Sequence, residues 1–170
     1  AEGRERFELA RDLDVLRFRA DSHINAIIRE VASEQQTAGV RLVDAQRALA
    51  ASDPGTKGIA GGNLFYEHVH LTFDGNYVLA RSMLEQVRAA LPQLAAQPQP
   101  GAIPSRQRCA DLLALTPWDE AQLVTDMVEM TSRAPFVNQL DHGRRQAAAG
   151  KRRDELLTLA GTREALQAAW

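Results

Sequence analysis

The segment from residue 92 to residue 104 places the strongest constraint on how this chain can fold. It holds four of the seven prolines, and its centre reads Gln97-Pro98-Gln99-Pro100-Gly101. Proline fixes φ and removes a backbone donor, so no helix continues through such a run, which is typical of a semi-rigid linker. We therefore predict three parts: residues 1–92, a linker over 93–104, and residues 105–170.

Helical patterns dominate the first part. Two stripes of apolar residues recur at spacings of three and four, which is the pattern of a helix with one buried face. Asp21 or Ser22 is placed to cap the first of these helices, and Asp74 to cap the second. Gly39 stands where a glycine would end the first. The stripes are Ile24, Ile27, Ile28, Val31 and Ala32, and then Tyr77, Ala80, Leu84, Val87 and Leu91.

The third part, residues 105–170, reads as helical throughout. Thr116-Pro117-Trp118-Asp119 is a helix start, with a capping Thr, Pro at the first position and an acid three residues on. The other predicted helices are Ser105–Leu115, one from Pro135 to Gly150, one over Lys151–Leu159, and one capped by Thr162. Short connections predict antiparallel neighbours, in a helical bundle or a repeat-like array. The tetratricopeptide pattern itself is not met.

One strand is predicted, Val40-Arg41-Leu42-Val43-Asp44, which is rich in β-branched residues and follows Gly39. The predicted fold class is therefore mainly α with a small β component. A lone strand must satisfy its backbone groups: it lies at the edge of a sheet, pairs with Leu64–Tyr66, or pairs with a second copy of the chain. A homodimer is one expectation from this. Asp44 ends the strand either as an ordinary terminator or at a ligand crevice.

Composition excludes several classes of function. Lys and Arg number 20 against 22 Asp and Glu, and the net charge of -2 argues against a nucleic-acid binder. A single cysteine, Cys109, excludes an internal disulfide framework. No apolar run is long enough for a membrane span, and the charged start is not a secretory signal. That start, which lacks Met, predicts a piece of a longer protein; the compartment is not indicated.

Glu67 and His70 are the candidate catalytic residues. A carboxylate three residues before a histidine in a turn can accept a hydrogen bond from one imidazole nitrogen, which leaves the other nitrogen as a base. A hydrogen bond that only holds the loop is the structural alternative. A metal site of Glu67, His68 and His70 is a further alternative, but no further histidine is nearby in the sequence, so we predict neither a metal nor a cofactor.

The order of these features resembles the C-terminal part of the SGNH (GDSL-like) hydrolase superfamily. Members end with a helix, a strand, a loop carrying Asp-x-x-His and a closing helix. The closing helix of the family is similar to Asp74-Gly75-Asn76-Tyr77-Val78-Leu79-Ala80. Arg17-Phe18-Arg19-Ala20-Asp21 and Phe65-Tyr66-Glu67-His68-Val69-His70 are similar to a bacterial subgroup in which such a segment is joined to tetratricopeptide-type helices. The resemblance implies the C-terminal portion of an α/β fold over residues 1–92.

The resemblance also implies ester hydrolysis or acyl transfer, with His70 as general base and Glu67 in place of the usual Asp. No Gly-Asp-Ser nucleophile motif occurs, and no matching oxyanion-hole block is found. We therefore expect this chain alone to be inactive. The alternative function is a non-catalytic module that binds a protein partner through the helices after residue 105. A basic cluster there, Arg144-Arg145 and Lys151-Arg152-Arg153, is either a solvated helix face or a site for an anionic partner.

Overall fold

The computed structural model describes residues 2–15, 18–52, 58–95 and 103–161. The chain divides into two compact units, Ala1–Pro104 and Ser105–Trp170. The first unit contains α1 (Glu2–Asp12), α2 (Ser22–Glu34), α3 (Ala45–Ser52), α4 (Phe73–Ala90) and the short α5 (Pro92–Ala95). The second contains α6 (Arg106–Leu112), α7 (Pro117–Thr131) and α8 (His142–Ala160).

The predicted strand at Val40–Asp44 is wrong, and so is the predicted β component. The described residues contain helices and a single isolated bridge, but no strand, so the C-terminal portion of an α/β fold is not present in them. A strand needs neighbours that accept and donate backbone hydrogen bonds, and here none is supplied. The segment instead connects a 3-10 turn (Gln36–Ala38) to α3, and Gly39 ends that turn at a φ of 86°.

Helix α2 begins as its sequence predicts, whereas α4 begins two residues earlier than predicted. Asp21 is buried, with 6% of its surface exposed, and its carboxylate accepts from the backbone N–H of Ile24 at 2.8 Å. For α4 the cap is Thr72, whose hydroxyl accepts from the N–H of Gly75 at 3.2 Å. The prediction that Asp74 caps this helix is therefore wrong: Asp74 lies inside the first turn, where its negative charge is favourable.

In the first unit α3 packs against α4, and a loop over residues 58–72 packs against the start of α4. Leu64 in this loop is buried, with 3% of its surface exposed. Gly75 is the point of closest approach, because a Cβ atom there would lie 2.3 Å from the carbonyl oxygen of Leu64 and 2.8 Å from Leu71. The missing side chain is what allows the helix to meet the loop.

In the second unit α7 packs against α8. The predicted start of α7 is confirmed as a complete capping box: Thr116 accepts from the N–H of Asp119, and Asp119 accepts from the N–H of Thr116. The buried core residues of the unit are Ala110, Ala121, Val124 and Leu156. Helix α8 continues through Gly150, so the prediction of two helices there is wrong, and the predicted cap Thr162 lies outside the described residues.

Candidate functional site

The loop before α4 folds into a narrow hairpin-like turn that presents residues 67–69 at its tip. Phe65 and Leu71 form an antiparallel bridge. The N–H of Tyr66 donates to the carbonyl of His70 at 2.9 Å, and the N–H of Thr72 donates to the carbonyl of Leu64 at 3.0 Å. These bonds bring the two sides of the turn together, and they fix Glu67 and His70 on the same short segment.

Glu67 turns its carboxylate inward over its own backbone. One oxygen accepts from the N–H of His70 at 2.8 Å, and the other accepts from Val69 at 3.1 Å and from His68. The side chain is only 6% exposed. Three converging N–H groups of successive residues form a small anion-binding concavity, here filled by the chain's own carboxylate.

The Glu67 carboxylate also contacts Nδ1 of His70. The sequence argument placed these two groups together, and the structure brings them into contact; the catalytic roles assigned to them stay predictions. Burial alone would raise the pKa of Glu67, but the hydrogen bonds from the backbone and ring of His70 and from the N–H groups of His68 and Val69 outweigh it and lower the pKa. Glu67 is therefore an anion at neutral pH.

His70 is much more accessible than its partner, with 53% of its side chain exposed. When the imidazole is neutral, an Nδ1–H that donates to Glu67 leaves the lone pair on Nε2. That nitrogen can then accept a proton from a bound hydroxyl, and the carboxylate stabilises the imidazolium that forms. The arrangement supplies an oriented base at the surface of the first unit.

Two residues from before α2, Phe18 and Arg19, hold this turn; the resemblance includes both in the segment Arg17–Asp21, but the sequence assigns neither of them a role. The guanidinium of Arg19 donates to the carbonyls of Glu67, at 3.1 Å, and His68, and lies 4.4 Å from the centre of the Phe65 ring. Phe18 stacks on the ring of His68 at 5.0 Å with an interplanar angle of 8°. Both contacts join residues nearly fifty positions apart, and no local spacing in the sequence signals them.

The two histidines of the turn have different partners. The His68 ring stacks on Phe18, whereas the His70 ring contacts Glu67. Among the described ranges, no group of three or more His, Cys, Asp or Glu side chains is arranged to hold a metal ion. In the described residues, Glu67, His68 and His70 are therefore not arranged as a metal site.

Asp44 is engaged with its own neighbours. Arg29 donates to both of its oxygens, at 2.8 and 3.1 Å, and the N–H of Arg47 donates to it at 3.2 Å. The hydrogen bond from Arg29 is the largest influence on Asp44 and lowers its pKa, while partial burial opposes this. Asp44 thus ties α2 to the start of α3, and because the described residues contain no strand there, its predicted role as a strand terminator is wrong.

The basic cluster on α8 is largely neutralised by nearby acids. Arg144 lies 2.7 Å from Asp141, and Arg152 lies 3.4 Å from Glu120 on α7. Further pairs are Lys151 with Glu155 and Arg153 with Asp154. Such pairs on an exposed helix favour the interpretation of a solvated face.

In the part of the chain that the structure describes, no helix combines the length and apolarity that crossing a membrane requires. Comparison of the chain with protein-family models, with curated proteins and with solved structures found no match. The hydrolase and tetratricopeptide resemblances therefore depend only on the residues quoted for them, and the geometry of the turn is the structural observation that bears on function.

Proposed function

We propose that Glu67 and His70 form the carboxylate-oriented general base of an ester hydrolase or acyl transferase. The observation that carries the proposal is the contact of a buried, ionised Glu67 with Nδ1 of a half-exposed His70. A carboxylate held by three backbone N–H groups cannot swing away, so the imidazole keeps one tautomer and one orientation. Fixing tautomer and orientation is the role of the carboxylate in nucleophile–base–carboxylate sites.

In the proposed reaction, Nε2 of His70 removes the proton from an attacking hydroxyl as that oxygen bonds to the carbonyl carbon of the ester. The imidazolium then returns the proton to the departing alkoxide as the carbon–oxygen bond breaks. Glu67 stays ionised throughout and stabilises the charged ring. The sequence holds no Gly-Asp-Ser motif, so the proposal places the nucleophile and the oxyanion-binding donors on a part of the active protein that this chain does not supply.

The test is hydrolysis of a panel of simple esters by the natural full-length protein, with this 170-residue chain assayed beside it. We expect His70→Ala to lower kcat/KM by about 10² to 10⁴-fold, the usual contribution of a general base. His23→Ala is the matched control, because His23 lies on α2. We expect its activity to equal wild type, and the short chain to be inactive.

Glu67→Gln tests whether Glu67 orients the His70 ring or only fills space beside it. A glutamine amide donates to Nδ1, which forces the proton onto Nε2 and removes the base, so kcat should fall by about 10²-fold or more. If the wild-type full-length protein hydrolyses esters and His70→Ala does so equally well, the proposal is wrong. A full-length protein inert on the whole panel would also count against it.

The second candidate function is protein binding through the helices of the second unit. Its support is the set of large apolar side chains that these helices and their connections leave exposed. The largest exposed fractions are those of Leu112 (62%), Leu113 (71%) and Leu140 (87%). Helical hairpins and arrays commonly use such surfaces to bind partner proteins.

The test of this second function is a pull-down with the full chain and with Leu112→Glu/Leu113→Glu. Both residues are exposed at the end of α6, so the double variant should fold and should lose the partner. Retention of the same partner by both chains, or the absence of any partner, would contradict this function.

A further inference from the structure

Of the two side chains that hold the turn from outside, Arg19 is the one that contacts its backbone. Arg19 uses Nε and one terminal nitrogen to donate to the two consecutive carbonyls of His68 and Glu67. Its guanidinium also faces the Phe65 ring at 4.4 Å. The planar fork of arginine matches two neighbouring acceptors and stacks on aromatic rings, and lysine reproduces neither feature.

The two carbonyls belong to the peptide units that orient the N–H groups below Glu67. The carbonyl of Glu67 shares a peptide plane with the N–H of His68, and the carbonyl of His68 shares one with the N–H of Val69. Both of these N–H groups donate to the Glu67 carboxylate. Holding the carbonyls on one side therefore holds the N–H groups on the other, where they fix the carboxylate against His70.

We propose that Arg19 is a positioning residue for the general base: by fixing these two peptide planes, it keeps the Glu67 carboxylate on Nδ1 of His70. The inference deepens the proposed function and rests on it. Arg19 touches neither a substrate nor the reacting nitrogen. It acts on the geometry of the base through two carbonyls that lie 48 and 49 positions away in the chain.

The first measurement is the tautomer of His70, read from the ¹⁵N chemical shifts of its ring in this chain at a pH where the ring is neutral. In the wild type we expect the proton on Nδ1. In Arg19→Met we expect the shifts to move towards the Nε2–H form that a free imidazole side chain favours. Unchanged ring shifts in Arg19→Met would overturn the proposal.

Two further variants define what Arg19 contributes. Arg19→Lys keeps the positive charge but not the fork or the stacking, and should resemble Arg19→Met; full retention of the wild-type shifts would show that charge alone suffices and would overturn the proposal. Arg29→Met is the matched control, since Arg29 pairs with Asp44 and not with the turn. It should leave the His70 ring unchanged. Helicity measured by circular dichroism verifies folding, and if Arg19→Met unfolds, Arg19→Lys decides.

The second measurement is kinetic and uses the full-length protein. A misplaced base should lower kcat by about 10- to 100-fold with little change in KM, because small errors of position act on the transition state. An increase in KM with unchanged kcat would contradict a positioning role. The two proposals fail in different ways. If the tautomer shifts in Arg19→Met but His70→Ala keeps full activity, the catalytic function is wrong. If the tautomer does not shift and His70→Ala is inactive, only the role of Arg19 is wrong.

Discussion

Helices α2 and α7 carry similar apolar stripes but differ in how those stripes are buried. On α2 the residues Ile24, Ile27, Ile28 and Val31 are each 40–49% exposed, and no residue of the helix is buried. On α7, Ala121 and Val124 are 0% and 6% exposed, because α8 packs against them. An apolar stripe thus identifies which face of a helix can be buried, whereas the presence of a packed neighbour decides whether it is.

The largest expected effect is a truncation in the α7–α8 core. Leu156 is 3% exposed, and Leu156→Ala should lower the free energy of unfolding by about 3 kcal/mol, since it removes buried methyl groups and leaves a cavity. Urea unfolding followed by tryptophan fluorescence measures this, because both tryptophans, Trp118 and Trp170, belong to the second unit.

The matched change on α2 is Ile27→Ala, at a position 42% exposed. It should cost only about 0.5 to 1 kcal/mol, as partly exposed sites do, measured from hydrogen exchange of the first unit. A cost equal to that of Leu156→Ala would remove the contrast between the two helices.

The next effect concerns the loop that packs on α4. Gly75→Ala should destabilise the first unit by about 2 kcal/mol, because the clash with Leu64 and Leu71 exceeds the better helix propensity of alanine. Gly150→Ala is the control: nothing lies within 4 Å of its Cβ position, so it should stabilise α8 by up to about 1 kcal/mol. If Gly75→Ala also raised the free energy of unfolding, the contact at Gly75 would not be tight.

A smaller effect tests how much α7 depends on its cap rather than on packing. Thr116→Ala removes one half of the capping box and should cost about 1 kcal/mol, less than Leu156→Ala. Thr158→Ala is the comparison, since its hydroxyl only donates to a carbonyl one turn back in α8, and it should be close to neutral. A cost at Thr116 above that at Leu156 would show that the cap dominates.

The smallest effect is the pH dependence of the Glu67 turn. Because the folded pKa of Glu67 is lowered, its stabilising contribution is complete above the unfolded value of about 4.3 and is lost as pH falls through the folded value. The amide signals of His68, Val69 and His70 should follow this titration in NMR spectra, and Glu67→Gln should abolish it. A midpoint at the ordinary value for glutamate would mean that the hydrogen bonds do not favour the anion.

Features that depend on a few consecutive residues could be predicted from the sequence. Asp21 and Thr116 cap their helices because a side-chain acceptor meets an N–H three residues on. The approach of Glu67 to His70 is equally local. The cap of α4 was not fixed so locally: Thr72 and Asp74 are both capping residue types, and the loop, whose Asn63 carbonyl accepts from the Thr72 hydroxyl at 2.8 Å, favours Thr72.

Features that depend on distant residues could not be predicted. The segment Val40–Asp44 has the composition of a strand, but a strand exists only when another strand pairs with it. The contacts of Phe18 and Arg19 with the turn connect residues 48 to 50 positions apart, and although both lie in the segment quoted for the resemblance, nothing in the sequence indicates that they contact the turn. Gly150 reads as a helix end, yet packing of α8 on α7 carries the helix through it.

The reach of Arg19 along the chain has a consequence for the order of folding. The bonds from the backbone to Glu67 join residues one to three positions apart and close with little loss of chain entropy. The fork of Arg19 closes a loop of 48 residues, which costs considerably more entropy and must await the surrounding helices. An isolated peptide of the turn can therefore sample the right shape, but only the assembled unit selects it.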